Sequence, residues 1–188
     1  MSILDHLGQR HNTNKASVWN GKPQVIDGHL HRYLPFYQSF FAPLRDEEIT
    51  FLEIGVERGC SLMMWRDYFQ RGKIVGMDCA LMSQFTDRIV IENGDQCKPE
   101  DLDRIVAKHG PFDVILDDAG HVTEAQIFCY DYMIPHVKPG GFYVLEDIMD
   151  RKVTDHLCKI ASNLVLTQIA RIESIAFSYG TTVTKIRK

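Results

Sequence analysis

From residue 49 onward, short apolar runs alternate with amphipathic stretches, and this alternation constrains the fold more than any other feature of the chain. Ile49-Thr50-Phe51-Leu52-Glu53-Ile54 is a compact β-rich run that stops at Gly55. Residues 60–70 then carry Leu62, Met63, Trp65 and Phe69 at helical spacing, with Gly72 as a stop. Further apolar runs cover residues 73–78, 88–93, 112–116 and 142–145. Helical patterns separate them at 99–109, where Leu102, Ile105 and Val106 share a face, and at 122–137, which Lys138-Pro139-Gly140-Gly141 ends. A last helix is expected over 150–163. Strands alternating with helices predict an α/β fold: a mostly parallel sheet covered on both faces. Residues 172–179 and 182–187 are β-rich and joined by Gly180, which predicts an antiparallel hairpin at one edge.

Residues 1–48 lack that rhythm. They are rich in His, Asn, Tyr and Pro, and are expected to form an irregular or short-helical cap on the substrate side of a domain spanning 49–188. Trp19, Tyr33, Phe36 and Tyr37 either wall a ligand or form the small core of that cap. The 188 residues are 45% hydrophobic and 24% charged, an ordinary globular composition that argues against disorder. A net charge of −4 gives no footprint for nucleic acid. No run of eighteen apolar residues is present to span a membrane, and the polar first ten residues do not read as a secretion signal. Five scattered cysteines without a CxxC pair read as reduced thiols of a cytoplasmic protein, neither a disulfide framework nor a zinc site.

In open α/β sheets, ligands bind outside the carboxyl ends of the strands. The residues closing each apolar run are therefore the informative ones. Gly55 and Gly59 permit a tight turn and a close backbone approach at the start of a helix, although the spacing is not GxGxxG and a plain turn is an equal alternative. Asp78 suits ribose hydroxyls, or caps a helix. Asp95 and Gln96 stand where an adenine edge would lie, or simply turn the chain.

The densest constellation is Asp117-Asp118-Ala119-Gly120-His121 after one run and Glu146-Asp147 after the next. On neighbouring strands these would bring four carboxylates and an imidazole to one lip of the sheet. Such acids repel one another unless a cation neutralises them, and oxygen ligands suit Mg²⁺ better than Zn²⁺. The alternative makes them helix caps or partners of Arg and Lys. His121 reads best as a general base, with nitrogen ligand or hydrogen-bonding residue as the other options. His109 and His136 sit near helix C-termini and read as structural, His156 as surface, while His29 and His31 belong to the cap and are weaker ligand candidates.

These residues resemble the class I S-adenosylmethionine-dependent methyltransferases over about residues 49–188, and more narrowly the metal-dependent sugar O-methyltransferases of macrolide biosynthesis. Phe112-Asp113-Val114-Ile115-Leu116-Asp117-Asp118-Ala119-Gly120-His121-Val122 and the stretch from Pro135 to Asp147 carry the narrower likeness, with Thr13-Asn14-Lys15 and His31-Arg32-Tyr33 as family-like pieces of the cap. The resemblance implies a Rossmann-like sheet that binds S-adenosylmethionine through Glu53, Gly55, Ser61 and Asp78, with Asp95 and Gln96 beside the adenine; Asp117 is grouped with the cofactor side. It implies Mg²⁺ on Asp118, Glu146 and Asp147, His121 as base, and a sugar diol or similar small molecule as acceptor. The family often has Ser at Gly120 and Asp at Asn14, and the macrolide enzymes have a larger N-terminal portion. A catechol-type O-methyltransferase and a non-catalytic S-adenosylmethionine-binding protein are the competing readings. The terminal hairpin edge is a candidate contact for a homo-oligomer.

Overall fold

The computed structural model describes residues 2–26, 29–30, 33–80, 87–162, 172–178 and 181–187. The expectations for His31, Arg32, the side chain of His29, Asn163, Tyr179 and the Gly180 turn lie outside these residues. A seven-stranded sheet forms the centre: β1 Thr50–Ile54, β2 Lys73–Asp78, β3 Ile89–Asn93, β4 Phe112–Asp117, β5 Val137–Leu145, β6 Ile172–Ser178 and β7 Thr181–Ile186, in the spatial order β6-β7-β5-β4-β1-β2-β3. Strands β1 to β5 pair in parallel, while β7 pairs antiparallel with both β5 and β6. The chain runs outward through β2 and β3, then returns to place β4 on the other side of β1. That reversal opens a crevice beyond the carboxyl ends of β1 and β4.

Strand alternation divides the sheet's side chains between two layers. Phe51, Ile74, Val114, Leu116, Phe142 and Val144 meet helices α1 Ile3–Arg10, α2 Tyr33–Phe41 and α3 Cys60–Tyr68 on one face. Leu52, Ile54, Val75, Met77, Ile115 and Tyr143 meet α4 Pro99–His109, α5 Thr123–Met133 and α6 Arg151–Ser162 on the other. Burial on both sides explains why the central runs are almost wholly apolar. Residues 1–48 thus supply two of the three helices of one layer, and Leu4, Tyr37 and Phe41 belong to the same core as Phe51 and Trp65. The Tyr37, Phe41 and Trp65 rings pack directly on one another.

One expected boundary moves. Helix α5 ends at Met133, a 3-10 turn with Pro135 follows, and β5 begins at Val137, so the Lys138-Pro139-Gly140-Gly141 stretch lies inside a strand. The pairing of β4 with β5 jumps from Phe112↔Val137 to Val114↔Phe142, so the extra residues bulge. Glycine makes the bulge possible: Gly140 has φ +83°, and a Cβ on Gly141 would lie 2.4 Å from the Asp113 carbonyl. Among the described residues no helix is long and apolar enough to cross a membrane.

Candidate active site

The crevice holds a cavity of about 660 Å³. Its floor is the turn after β1. Gly55 has φ +89°, and a Cβ there would lie 2.3 Å from the Asp118 carbonyl oxygen, so only glycine lets this turn press against the end of β4. The Asp118 amide donates to the Ile54 carbonyl at 2.8 Å and locks the two strand ends together. Asp78 closes β2 and clamps the same turn: the amides of Val56 and Glu57 donate to its Oδ2 at 2.8 and 3.1 Å, and that of Ala80 to its Oδ1 at 2.8 Å. Burial pushes the Asp78 pKa up, but these amides outweigh it and hold the carboxyl below its usual range.

Asp95 and Gln96 line the cavity on the far side of the turn. Gln96 is 6% exposed; its Oε1 accepts from the Gly120 amide at 2.6 Å, and its Nε2 has no hydrogen-bond partner among the described residues. A buried amide with an unspent donor in a cavity wall is poised for a ligand acceptor. A glycine turn without room for a Cβ, a carboxylate with spare lone pairs and this orphan donor together fit an adenosyl group. Ser61 also lines the cavity, and its hydroxyl donates to Glu53 Oε2 at 2.8 Å.

Asp118, His121 and Asp147 also line the cavity, each offering a ligand atom within 4.8 Å of the others. His121 is 37% exposed on its side chain, and its Nε2 lies 3.7 Å from Asp147 Oδ2. Asp147 leaves the strand geometry with φ +50°, and Tyr33 of α2 donates to its Oδ1 at 2.8 Å. Burial and the Asp147 charge raise the Tyr33 pKa, so the phenol stays a proton donor. The two carboxylates suit a divalent cation, and the imidazole stands beside them.

Three expected contacts are not on the cavity wall, and strand alternation is the reason. Asp117 faces the α4–α6 layer, where Tyr143 donates to its Oδ2 at 3.1 Å and burial raises its pKa to about 7. Glu53 and Glu146 point into the opposite layer, and both are buried. Burial raises Glu53 to about 7 against the pull of Lys15, and Tyr37 donates to Glu146 Oε1 at 2.9 Å. Lys15 Nζ stands among these acids, 2.7 Å from Glu146 Oε2 and 3.5 Å from Glu53 Oε1, and it also donates to Asp118 Oδ2. Burial alone would lower the Lys15 pKa; the charges of Asp118, Glu146 and Glu53 outweigh it and hold the ammonium well above its usual range.

Sequence reasoning noted Lys15 only as part of a family-like tripeptide. The signal available was the acid surplus itself, which calls for an internal cation. Trp19, by contrast, is 39% exposed and lines the cavity, whereas Tyr33 and Tyr37 are buried and spend their hydroxyls on Asp147 and Glu146. His109 is buried between Lys73 and Glu92, and His156 pairs with Asp131 near the surface.

The family model described as a methyltransferase domain matches residues 52–148. The mycinamicin VI 2''-O-methyltransferase of Micromonospora griseorubida is 40% identical over 129 residues, covering 64% of this chain and 32% of that protein. The 8-demethyl-8-(2-methoxy-alpha-L-rhamnosyl)-tetracenomycin-C 3'-O-methyltransferase of Streptomyces olivaceus is 36% identical over 153 residues, covering 77% of this chain and 36% of that protein. The chain therefore spans about a third of the length of the curated relatives it matches. Among solved structures, the MycE methyltransferase of the mycinamycin pathway, in complex with Mg, SAH and mycinamycin VI, superposes with a TM-score of 0.82 at 29% identity, covering 99% of this chain and 55% of that one. With the sheet order, the glycine turn and these matches in agreement, the chain belongs to the methyltransferase domain family.

Proposed function

We propose that this chain is the catalytic unit of an S-adenosylmethionine- and Mg²⁺-dependent O-methyltransferase that acts on a hydroxyl of a sugar or glycosylated natural product. The observation that carries the reading is a single cavity lined both by an adenosyl-compatible turn and by the Asp118, His121 and Asp147 side chains. Relatives named as the 2''-O-methyltransferase of mycinamicin VI and the 3'-O-methyltransferase of a rhamnosyl-tetracenomycin support the acceptor class. We place the protein in the cytoplasm, working on a small molecule with no part for nucleic acid or membrane, and with the β6 edge as the contact between copies.

Gly55 would let the donor approach the backbone, Asp78 would receive the ribose hydroxyls on its remaining lone pairs, and Asp95 with Gln96 would hold the adenine edge. Glu53 and Ser61 would fix the wall behind the donor, and Asp117 would brace the end of β4 from below. Asp118 and Asp147, joined by Glu146, would hold Mg²⁺. When bound, the donor supplies an electrophilic methyl group and the ion a hard positive charge that lowers the pKa of a neighbouring hydroxyl. His121 takes the proton of the acceptor hydroxyl, and Asp147 beside it stabilises the imidazolium. Holding the reacting groups in line supplies a large part of the rate.

Methyl transfer from labelled donor to a panel of glycosides with vicinal hydroxyls and to catechols tests the reading. Methylation of glycosides that stops in EDTA and returns with Mg²⁺ is expected. Preference for catechols, or rates indifferent to EDTA, would overturn it; donor binding without turnover on any diol would leave a non-catalytic binding protein.

A further inference from the structure

The acids at the ends of β1, β4 and β5 already possess a cation, and it comes from the turn that follows α1. Lys15 is 3% exposed on its side chain and meets Asp118, Glu146 and Glu53 at once. Both Glu146 oxygens are engaged, one by Lys15 and one by Tyr37. Asp118 is shared in the same way: it belongs to the cluster with His121 and Asp147, yet one of its oxygens accepts from Lys15.

A divalent ion drawn to Asp118, Glu146 and Asp147 therefore has to compete with an ammonium group for the same carboxylates. Like charges so close in a shielded site repel strongly, and both cannot use the same lone pairs. The backbone that carries Lys15 is well anchored. The Ser17 amide and hydroxyl donate to Asp5 of α1 at 2.8 and 2.7 Å, and the Ala16 amide donates to the Thr13 carbonyl at 3.2 Å. The four-carbon lysine stem, in contrast, has rotatable bonds enough to withdraw the ammonium without moving that loop.

We infer that Lys15 is a tethered counter-cation that holds Asp118 and Glu146 in the metal-free protein and yields them to the divalent ion, thereby setting how tightly that ion binds. This rests on the Mg²⁺ site proposed above. Without Lys15, the acids would either repel one another or take up protons; with it, they stay in place until an ion arrives, and binding is weaker than the bare acids would give.

Calorimetric titration of Mg²⁺ into the protein without donor or acceptor tests the inference. Lys15→Met is expected to bind Mg²⁺ about tenfold more tightly or better, the worth of one charge-assisted hydrogen bond. Lys15→Arg, which keeps the charge, is expected to bind no more tightly than the parent. Equal or weaker binding by Lys15→Met overturns the inference. A Lys15→Met protein that unfolds without Mg²⁺ and recovers its far-ultraviolet circular dichroism when Mg²⁺ is added supports it. The parent itself provides a measurement that needs no variant: the Lys15 ε-carbon resonance is expected to move over the Mg²⁺ range in which heat is released, and a resonance unmoved at saturation overturns the inference. Asp147→Asn separates the two levels. Mg²⁺ binding that this change abolishes but Lys15→Met leaves unaltered sinks the role of Lys15 alone, whereas a parent that binds no Mg²⁺ sinks the metal site and the inference together.

Discussion

At the far edge of the sheet one carboxylate is shared among several cations; near its centre several carboxylates share one. Glu92 of β3 accepts from Lys108 and from His109 Nε2, both at 2.7 Å, and lies 3.4 Å from Arg104, while Lys73 meets the other ring nitrogen of His109 at 2.8 Å. Burial raises the Glu92 pKa, but Lys108 and His109 outweigh it and hold the carboxyl below its usual range. Lys15 cannot do the same for Glu53 and Glu146; burial wins and raises both, with Glu53 pushed to about 7. An ion cluster that closes its own charge holds strands and helices together. One left with surplus negative charge has a place for a further cation.

Changes at the two clusters should therefore behave differently. The largest effect is expected from His121→Ala: turnover should fall about 10²–10⁴-fold, the usual worth of a general base, while calorimetric affinity for S-adenosylmethionine stays at the parental value. A parental rate would remove chemistry from the acid-rich end. Lys15→Ala should cost about 3–5 kcal/mol in urea unfolding without Mg²⁺, because it strands buried carboxylates. A loss no larger than that of a surface change would show that these acids need no internal cation.

The pH profiles sharpen the contrast. Asp117 titrates at about 7 in the fold against an ordinary 3.8, so its folded form holds the proton more tightly. Its contribution is complete below the unfolded value and is lost as pH rises from there through about 7; Asp117→Asn should flatten that decline between about pH 4 and pH 7 in unfolding experiments. Glu92 has the opposite sign, since its lowered folded pKa gives stability that is present near neutrality and lost on acidification. Glu92→Gln should cost only about 1–2 kcal/mol at neutral pH and leave methylation unchanged. Loss of methylation there would break the division between the two clusters.

The β/α core was legible because burial on both faces forces nearly continuous apolar runs, and because Gly55, Asp78 and Gln96 each close one. The bulge at Gly140 and Gly141 was not, since a Pro-Gly-Gly stretch reads as a stop until a neighbouring strand reveals the slipped register. Adjacent acids also hid a distinction. Asp117 and Asp118 lie on opposite faces, and Asp147 turns away from Glu146 through a left-handed backbone, so a pair in the sequence is not a pair in the site. Lys15 was least legible of all: its partners lie 103 and 131 residues away, and no local pattern links them.

The placement of α1 and α2 within the sheet's own layer has an evolutionary corollary. An exchange of residues 1–48 between relatives, made to alter which acceptor is taken, would carry off Leu4 and Phe41 from the core, Tyr33 and Tyr37 from their carboxylates, and Lys15 from its acids. Core packing and the pairing of the buried acids are therefore bound to one stretch of chain, and drift in either must be accommodated by the other.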